Sequence, residues 1–434
     1  MEFFWNIPII LKIVGVFSLI LFLIRRKYHL GTALLAGSIL LGFWCRMNPV
    51  EILASMGAGL AQIRTIMLSA IVVLILILSR SLERVEQMKR LLSSFQGLVK
   101  NPKFNLIVFP SLIGLLPMPG GAIFSAPMVD ELGNEHNLDP ETKSVLNYWF
   151  RHVWEFTWPL YPGLLLAASM SSVSIWAFVS RSFPLTLISL TAGYIFLLRN
   201  MPVNMAVNSR NAAPRRLKSF LQELVPIIIV IIGAIFGSGL LTILQQRIPA
   251  FINIPTELPL VLSLIVSILY IWHKNSVSGD MIRNILFDKG LLKMIYMICS
   301  IYMFKQVLVD SQAVNDLSAF LASQHIPFLL VLILIPMIAG GLSGIAVAFV
   351  GTSFPVLISL FHELQIEQNI IPYLILGFIA GFIGMMASPL HVCLVFTQEY
   401  FKADFRGIYR QLWKPLLVLL VGSFLYFLLL RSWM

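Results

Sequence analysis

Charge is scarce in this chain. Of 434 residues only 20 are Asp or Glu and 31 are Lys or Arg, so charged side chains make up 12%, where a soluble domain carries about 25%. With 58% hydrophobic residues and a mean hydropathy of +0.87, this shortage excludes a large water-soluble domain. Cysteine is scarce too. Cys45, Cys299 and Cys393 lie in or beside apolar stretches without metal-type spacing, which supports neither a disulfide framework nor a zinc site. No H-E-x-x-H pair occurs, and no Gly-rich loop ends in Lys-Ser/Thr, so a P-loop ATPase is excluded. The net charge of +11 does not point to nucleic acid, because the basic residues cluster in short loops between apolar segments, as membrane topology requires.

What the chain has instead is long apolar runs. A bilayer core needs about 20 apolar helical residues, and spans are expected near residues 8–24, 29–45, 66–79, 146–169, 174–198, 225–246, 258–273, 289–309, 371–397 and 413–431. Two further apolar regions, 105–129 and 327–361, are interrupted by Pro, Gly and Ser and read as re-entrant hairpins. The expected fold is thus an all-α polytopic membrane protein with about ten transmembrane helices, two re-entrant hairpins and two broken helices, 146–169 and 371–397. The stretch from Arg80 to Lys103, with apolar residues at helical intervals, reads as an amphipathic interfacial helix. Twenty-three basic residues fall on one side of these spans, five on the other and three within them. The positive-inside rule then predicts both termini outside. The first segment lacks a small-residue cleavage site and reads as a retained helix.

The two halves of the sequence match. Pro110 and Pro336 are 226 apart, Pro127 and Pro355 228 apart, and Pro159 and Pro389 230 apart. This register predicts an inverted repeat, 1–198 and 223–434, joined by a basic linker over 199–222. In each half the first proline is expected to open a hairpin, the second to close it and the third to break the following helix.

The broken segments carry the polar groups. Pro117, Pro119, Gly120 and Gly121 interrupt the first hairpin ahead of Ser125 and Pro127, and Gly340, Gly341, Ser343 and Gly344 interrupt the second ahead of Thr352, Ser353 and Pro355. Backbone freed this way cannot face lipid, and half-helix N-termini favour anions, although small residues also serve close helix packing. Arg151, His152 and Glu155 precede the Pro159 and Pro162 breaks, with Arg151 and Glu155 spaced to pair. Ser388 and His391 flank Pro389, and Lys305 precedes the second hairpin with Asp310 five residues on. Ionisable residues inside a membrane face a cavity or a partner. The expected substrate-binding set is Pro119, Gly120, Gly121, Ser125, Ser343, Gly344, Thr352, Ser353, Ser388 and His391; Arg151, His152, Glu155 and Lys305 are expected to serve coupling or charge pairing.

Three stretches, LLPMPGGAIFSAPMV from Leu115 to Val129, NYWFRHVWEFTWPLYPG from Asn147 to Gly163 and SPLHVCLVFTQEYF from Ser388 to Phe401, resemble the prokaryotic integral membrane family catalogued as domain of unknown function 401, along nearly the whole chain. That family is similar in fold to the ion transporter superfamily of gluconate, citrate, dicarboxylate and arsenite permeases and sodium/proton antiporters. The resemblance implies inverted repeats, secondary transport in a prokaryotic inner membrane, and a homodimer as the assembly often found for such carriers. Neither hairpin tip carries the Asn of the Ser-Asn-Thr triplets that tips of sodium-coupled dicarboxylate carriers resemble. The expectation is a secondary transporter of a small, organic carboxylate-type anion, coupled to H⁺ or Na⁺, needing no cofactor or metal and meeting only its substrate and lipid. Two alternatives stay open: a cation/proton antiporter using Glu155, His152 and Asp310, and an intramembrane metal-dependent hydrolase using His152, Glu155 and His391.

Overall fold

The computed structural model describes residues 7–95, 98–99, 101–116, 118, 120–199, 201, 217–365 and 370–433. Pro117, Pro119 and most of the expected 199–222 linker lie outside the described residues. Among the described residues everything regular is helical. The first ten helices are α1 (Ile9–Arg25), α2 (Leu30–Trp44), α3 (Pro49–Ala61), α4 (Ile63–Arg84), α5 (Gln87–Phe95), α6 (Pro102–Gly114), α7 (Ala122–Glu135), α8 (Pro140–Arg151), α9 (Pro162–Met170) and α10 (Ile175–Gly193). The next ten are α11 (Leu217–Arg247), α12 (Leu258–Lys274), α13 (Gly279–Leu286), α14 (Lys289–Asp310), α15 (Ala313–Ser323), α16 (Phe328–Ser343), α17 (Ala346–Glu363), α18 (Ile370–Met386), α19 (Val392–Phe401) and α20 (Phe405–Trp433).

Local sequence sets many of these boundaries. Asn48-Pro49, Asn101-Pro102 and Asp139-Pro140 each place an amide or carboxylate cap before a proline at the first helical position, and each cap accepts backbone N–H groups of the first turn. Glu51 completes a capping box with Asn48. Among the described residues six helices are long and apolar enough to cross a membrane: α4, α10 with its π-helical end, α11, the joined α13–α14 segment, α17 and α20. The chain is therefore a membrane-embedded, all-helical protein. Their burial separates centre from periphery, since α17 has 83% of its most apolar window buried and α11 only 22%.

Four expectations about helix breaks are corrected. Pro110, Pro127, Pro336 and Pro355 neither open nor close hairpins; they lie inside α6, α7, α16 and α17. Packed neighbours in a membrane protein make up for the donor that each proline lacks. The reversals fall instead at left-handed glycines, Gly120 (φ 71°) and Gly344 (φ 65°), where a Cβ would be strained. Gly340 and Gly341 do not interrupt anything, because α16 runs to Ser343 and α17 resumes only at Ala346. They let α16 approach α18: a Cβ on Gly340 would stand 2.2 Å from the Gly381 carbonyl oxygen. The Arg80–Lys103 stretch is not one helix. It bends at left-handed Glu86, with α4 ending at Arg84 and α5 covering Gln87–Phe95. The short helices α3, α13 and α15 occupy stretches where no span was expected.

The two expected broken helices are broken, at 152–161 between α8 and α9 and at 387–391 between α18 and α19. Ten of the twelve left-handed residues among those described fall into five pairs 224 to 230 residues apart, Arg46, Glu86, Gly120, Asn137 and Ser172 with Ser276, Gln312, Gly344, Gln365 and Lys402; Lys27 and His325 have no counterpart at that spacing. Packing is reciprocal, with α9 lying on α17 and α19 on α7 and α8.

Candidate functional site at the paired helix breaks

The turns Trp158-Pro159-Leu160-Tyr161 and Ser388-Pro389-Leu390-His391 have the same shape, and each ends in an extended residue, Tyr161 (φ −78°, ψ 120°) and His391 (φ −67°, ψ 117°), that begins a half-helix. Each last side chain then reaches the hairpin 47 residues earlier in the chain. The Tyr161 hydroxyl donates to the Gly114 carbonyl at 2.6 Å, and His391 Nδ1 donates to the Gly344 carbonyl at 2.6 Å. Close backbone approach makes this geometry possible. A Cβ on Gly344 would stand 2.8 Å from the His391 nitrogen, and one on Gly114 2.3 Å from the Arg151 carbonyl oxygen.

His391 reaches across to the first half. Its Nε2 lies 3.0 Å from Nε2 of His152. The hydrogen bonds fix both tautomers, because carbonyl oxygens only accept: His391 Nδ1 carries the proton given to Gly344, and His152 Nδ1 the one given to the Tyr148 carbonyl at 2.6 Å. Arg151 agrees, since its guanidinium can only donate and approaches His152 Nε2 at 3.4 Å. With both Nδ1 atoms donating to carbonyls, the Nε2–Nε2 contact has room for one proton or one cation between the rings.

Charge gathers at this contact although it is buried. Arg151 is 2% exposed, His152 1%, Glu155 7%, His391 7% and Cys393 4%. The expected Arg151–Glu155 pair does not form, because the helix ends at Arg151 and the turn carries Glu155 away from the i,i+4 position. Arg151 donates to the Met118 carbonyl at 2.6 Å, and its Nε has no hydrogen-bond partner. Glu155 Oε1 is 3.8 Å from His152 Nε2, while its Oε2 has none. The Arg151 guanidinium covers the start of α7, where a Cβ on Gly121 would meet it at 2.7 Å. The starts of α9 and α17 also abut, with Gly163 and Ala346 in contact, and Gly120 at the start of α7 lies against Phe396 of α19. The starts of α9 and α17, partially positive helix ends, are thus adjacent, while the start of α7 lies under the Arg151 guanidinium and against the second turn of α19.

The expected residues divide between this buried cluster and other places. Gly120, Gly121, Gly344, Ser388, His391, Arg151, His152 and Glu155 come together around the breaks; the Ser388 hydroxyl donates to the Gly341 carbonyl at 2.6 Å and ties the second turn to its hairpin. The hydroxyls of Ser343, Thr352 and Ser353 bond to carbonyls of their own helices. Pro159 and Pro389 sit within the turns, and Pro162 is the first residue of α9. Lys305 lies elsewhere, donating to the Met170 carbonyl at the end of α9, and Asp310 accepts from Gln306. Ser125 joins a network that sequence reasoning missed: it donates to Asn147 Oδ1 at 2.6 Å, and Asn147 donates to the Ala122 carbonyl and to Thr397. Cys393 was missed as a site residue as well; only its place two residues after His391 could have signalled it. A cavity of about 920 Å³ runs from Arg64, Ser172 and Glu257 to the first turn at Trp154, Thr157, Trp158 and Pro159.

No curated protein matches the chain. Residues 10–430 match the model of the family described as a protein of unknown function, DUF401, and the chain belongs to that family.

Proposed function

We propose that the chain is a secondary active transporter of a small anion, of organic carboxylate type, working in a prokaryotic inner membrane with both termini outside. The observation that carries this reading is Arg151: a buried guanidinium, without an ion-pair partner among the described residues and with a free Nε, set over the start of α7. The reading also takes the two halves, 1–198 and 223–434, as inverted repeats with re-entrant hairpins. Its support is the recurrence of left-handed turns at nearly constant spacing and the matched bonds from Tyr161 to Gly114 and from His391 to Gly344. Alternating access then means that one half rocks against the other about the buried cluster, with H⁺ or Na⁺ moving alongside the anion. On this reading the 920 Å³ cavity, which ends at Trp158 and Pro159 of the first turn, opens toward Arg151 when the halves move.

The test is a thermal-shift screen of purified protein against carboxylates, sugar acids, oxyanions and sodium or lithium salts at two pH values, because a ligand that binds only the folded state stabilises it. One class of anion should raise the melting temperature of the native protein and leave Arg151→Gln unmoved. A response to cations alone would sink the reading in favour of the antiporter, although Asp310 stands outside the cluster. The hydrolase reading gains one observation, the contact of His391 with His152 beside Glu155. It predicts hydrolysis of ester or peptide substrates by the purified protein.

A further inference from the structure

We infer that His152, His391 and Cys393, with the Glu155 carboxylate as a fourth ligand, bind one divalent transition-metal ion of the zinc class that ties the two halves of the chain together. The two Nε2 atoms lie 3.0 Å apart while both Nδ1 atoms donate to carbonyls, so the contact is held either by one shared proton or by a metal cation between two lone pairs. The Cys393 sulfur lies within 4.8 Å of both. A tetrahedral zinc with bonds of about 2.0 Å to nitrogen and about 2.3 Å to sulfur separates its ligand atoms by roughly 3.3–3.6 Å, so closing on the ion asks the thiol to move about 1 Å. Glu155 approaches His152 alone, Oε1 to Nε2 at 3.8 Å, and has a buried oxygen without a hydrogen-bond partner; it stands outside the group of three and serves as fourth ligand only by swinging its carboxylate inward.

Two further features fit a metal centre. Each imidazole donates Nδ1–H to a backbone carbonyl, of Tyr148 or of Gly344, which holds the ring with Nε2 forward, as metal-bound histidines are held. The donors are nitrogen and sulfur, which select zinc-class ions and disfavour Mg²⁺ and Ca²⁺. Charge closes as well. A divalent ion with one thiolate and one carboxylate is neutral, so Arg151 is left as the uncompensated cation, ready for an anion; its long contact to His152 Nε2 is given up when the metal arrives. The inference goes beyond transport and does not need it.

The experiment loads full-length protein in detergent with Zn²⁺ or Co²⁺, washes it and measures bound metal per chain, taking Co²⁺ absorption as the spectroscopic readout. One ion per chain is expected, with thiolate-to-cobalt charge-transfer absorption that disappears in Cys393→Ser. His391→Gln should bind at least about tenfold more weakly. Mg²⁺ and Ca²⁺ should not compete. Arg151→Gln should retain the metal while losing the anion response, so failure of metal binding and failure of the anion reading show up separately. Melting temperatures measured in chelator identify any variant that fails to fold, and where a histidine variant does so, Cys393→Ser decides the question. Absence of stoichiometric metal in the folded native protein would overturn the inference and leave the histidines sharing a proton. Undiminished binding with unchanged cobalt absorption in Cys393→Ser would overturn it equally.

Discussion

Arg151 illustrates how much single residues reveal. An arginine, two histidines and a glutamate inside apolar segments are costly unless they face partners or a cavity, so Arg151, His152, Glu155 and His391 were legible from sequence. Tyr161 and Cys393 were not, because a tyrosine or a cysteine in an apolar stretch needs no explanation until its partner is known. Tyr161 finds its partner, the Gly114 carbonyl, 47 residues away. Tyr161→Phe leaves that buried carbonyl unpaired, and the expected cost is about 1–3 kcal/mol, read as a lower melting temperature with the anion response intact. Arg151→Lys keeps the charge but loses the planar fork of donors, and the anion midpoint should shift at least about tenfold. An unchanged midpoint would show that charge alone suffices.

Among elements, the breaks were anticipated in number but not always in cause. Prolines drew attention because they remove a donor, yet four of them ride inside helices while Gly120 and Gly344 make the reversals. Which glycine adopts a positive φ depends on what packs against it, and that is absent from a single sequence. The turns at Pro159 and Pro389 were readable because each proline coincides with other helix-disfavouring neighbours. Gly384 tests the close crossing of α16 and α18: a Cβ there would stand 2.0 Å from the Met337 carbonyl oxygen. Gly384→Ala should therefore lower the melting temperature sharply. Gly57→Ala, at an α3 position with nothing within 4 Å, should be neutral or raise stability by about 0.5–1 kcal/mol. Equal effects of the two substitutions would remove the packing explanation.

Across the whole molecule, hydropathy and the scarcity of charge were enough to place the chain in a membrane, while the spacing of three prolines raised the expectation of two halves. Neither could show that α9 lies on α17 and α19 on α7, which brings both breaks into one buried cluster. Inverted halves place the Arg46 turn and the Ser276 turn, 230 residues apart, on opposite sides of the membrane. Single cysteines introduced there should react with an impermeant maleimide from opposite faces of intact and inverted vesicles. Labelling from the same face would contradict the inversion.

Transport itself is tested most directly by flux. Protein reconstituted in liposomes should accumulate the stabilising anion against its gradient when a proton or sodium gradient is imposed, and Arg151→Gln of equal melting temperature should not. No saturable flux of any anion in the panel, or flux that survives Arg151→Gln, would contradict a carrier built around that guanidinium.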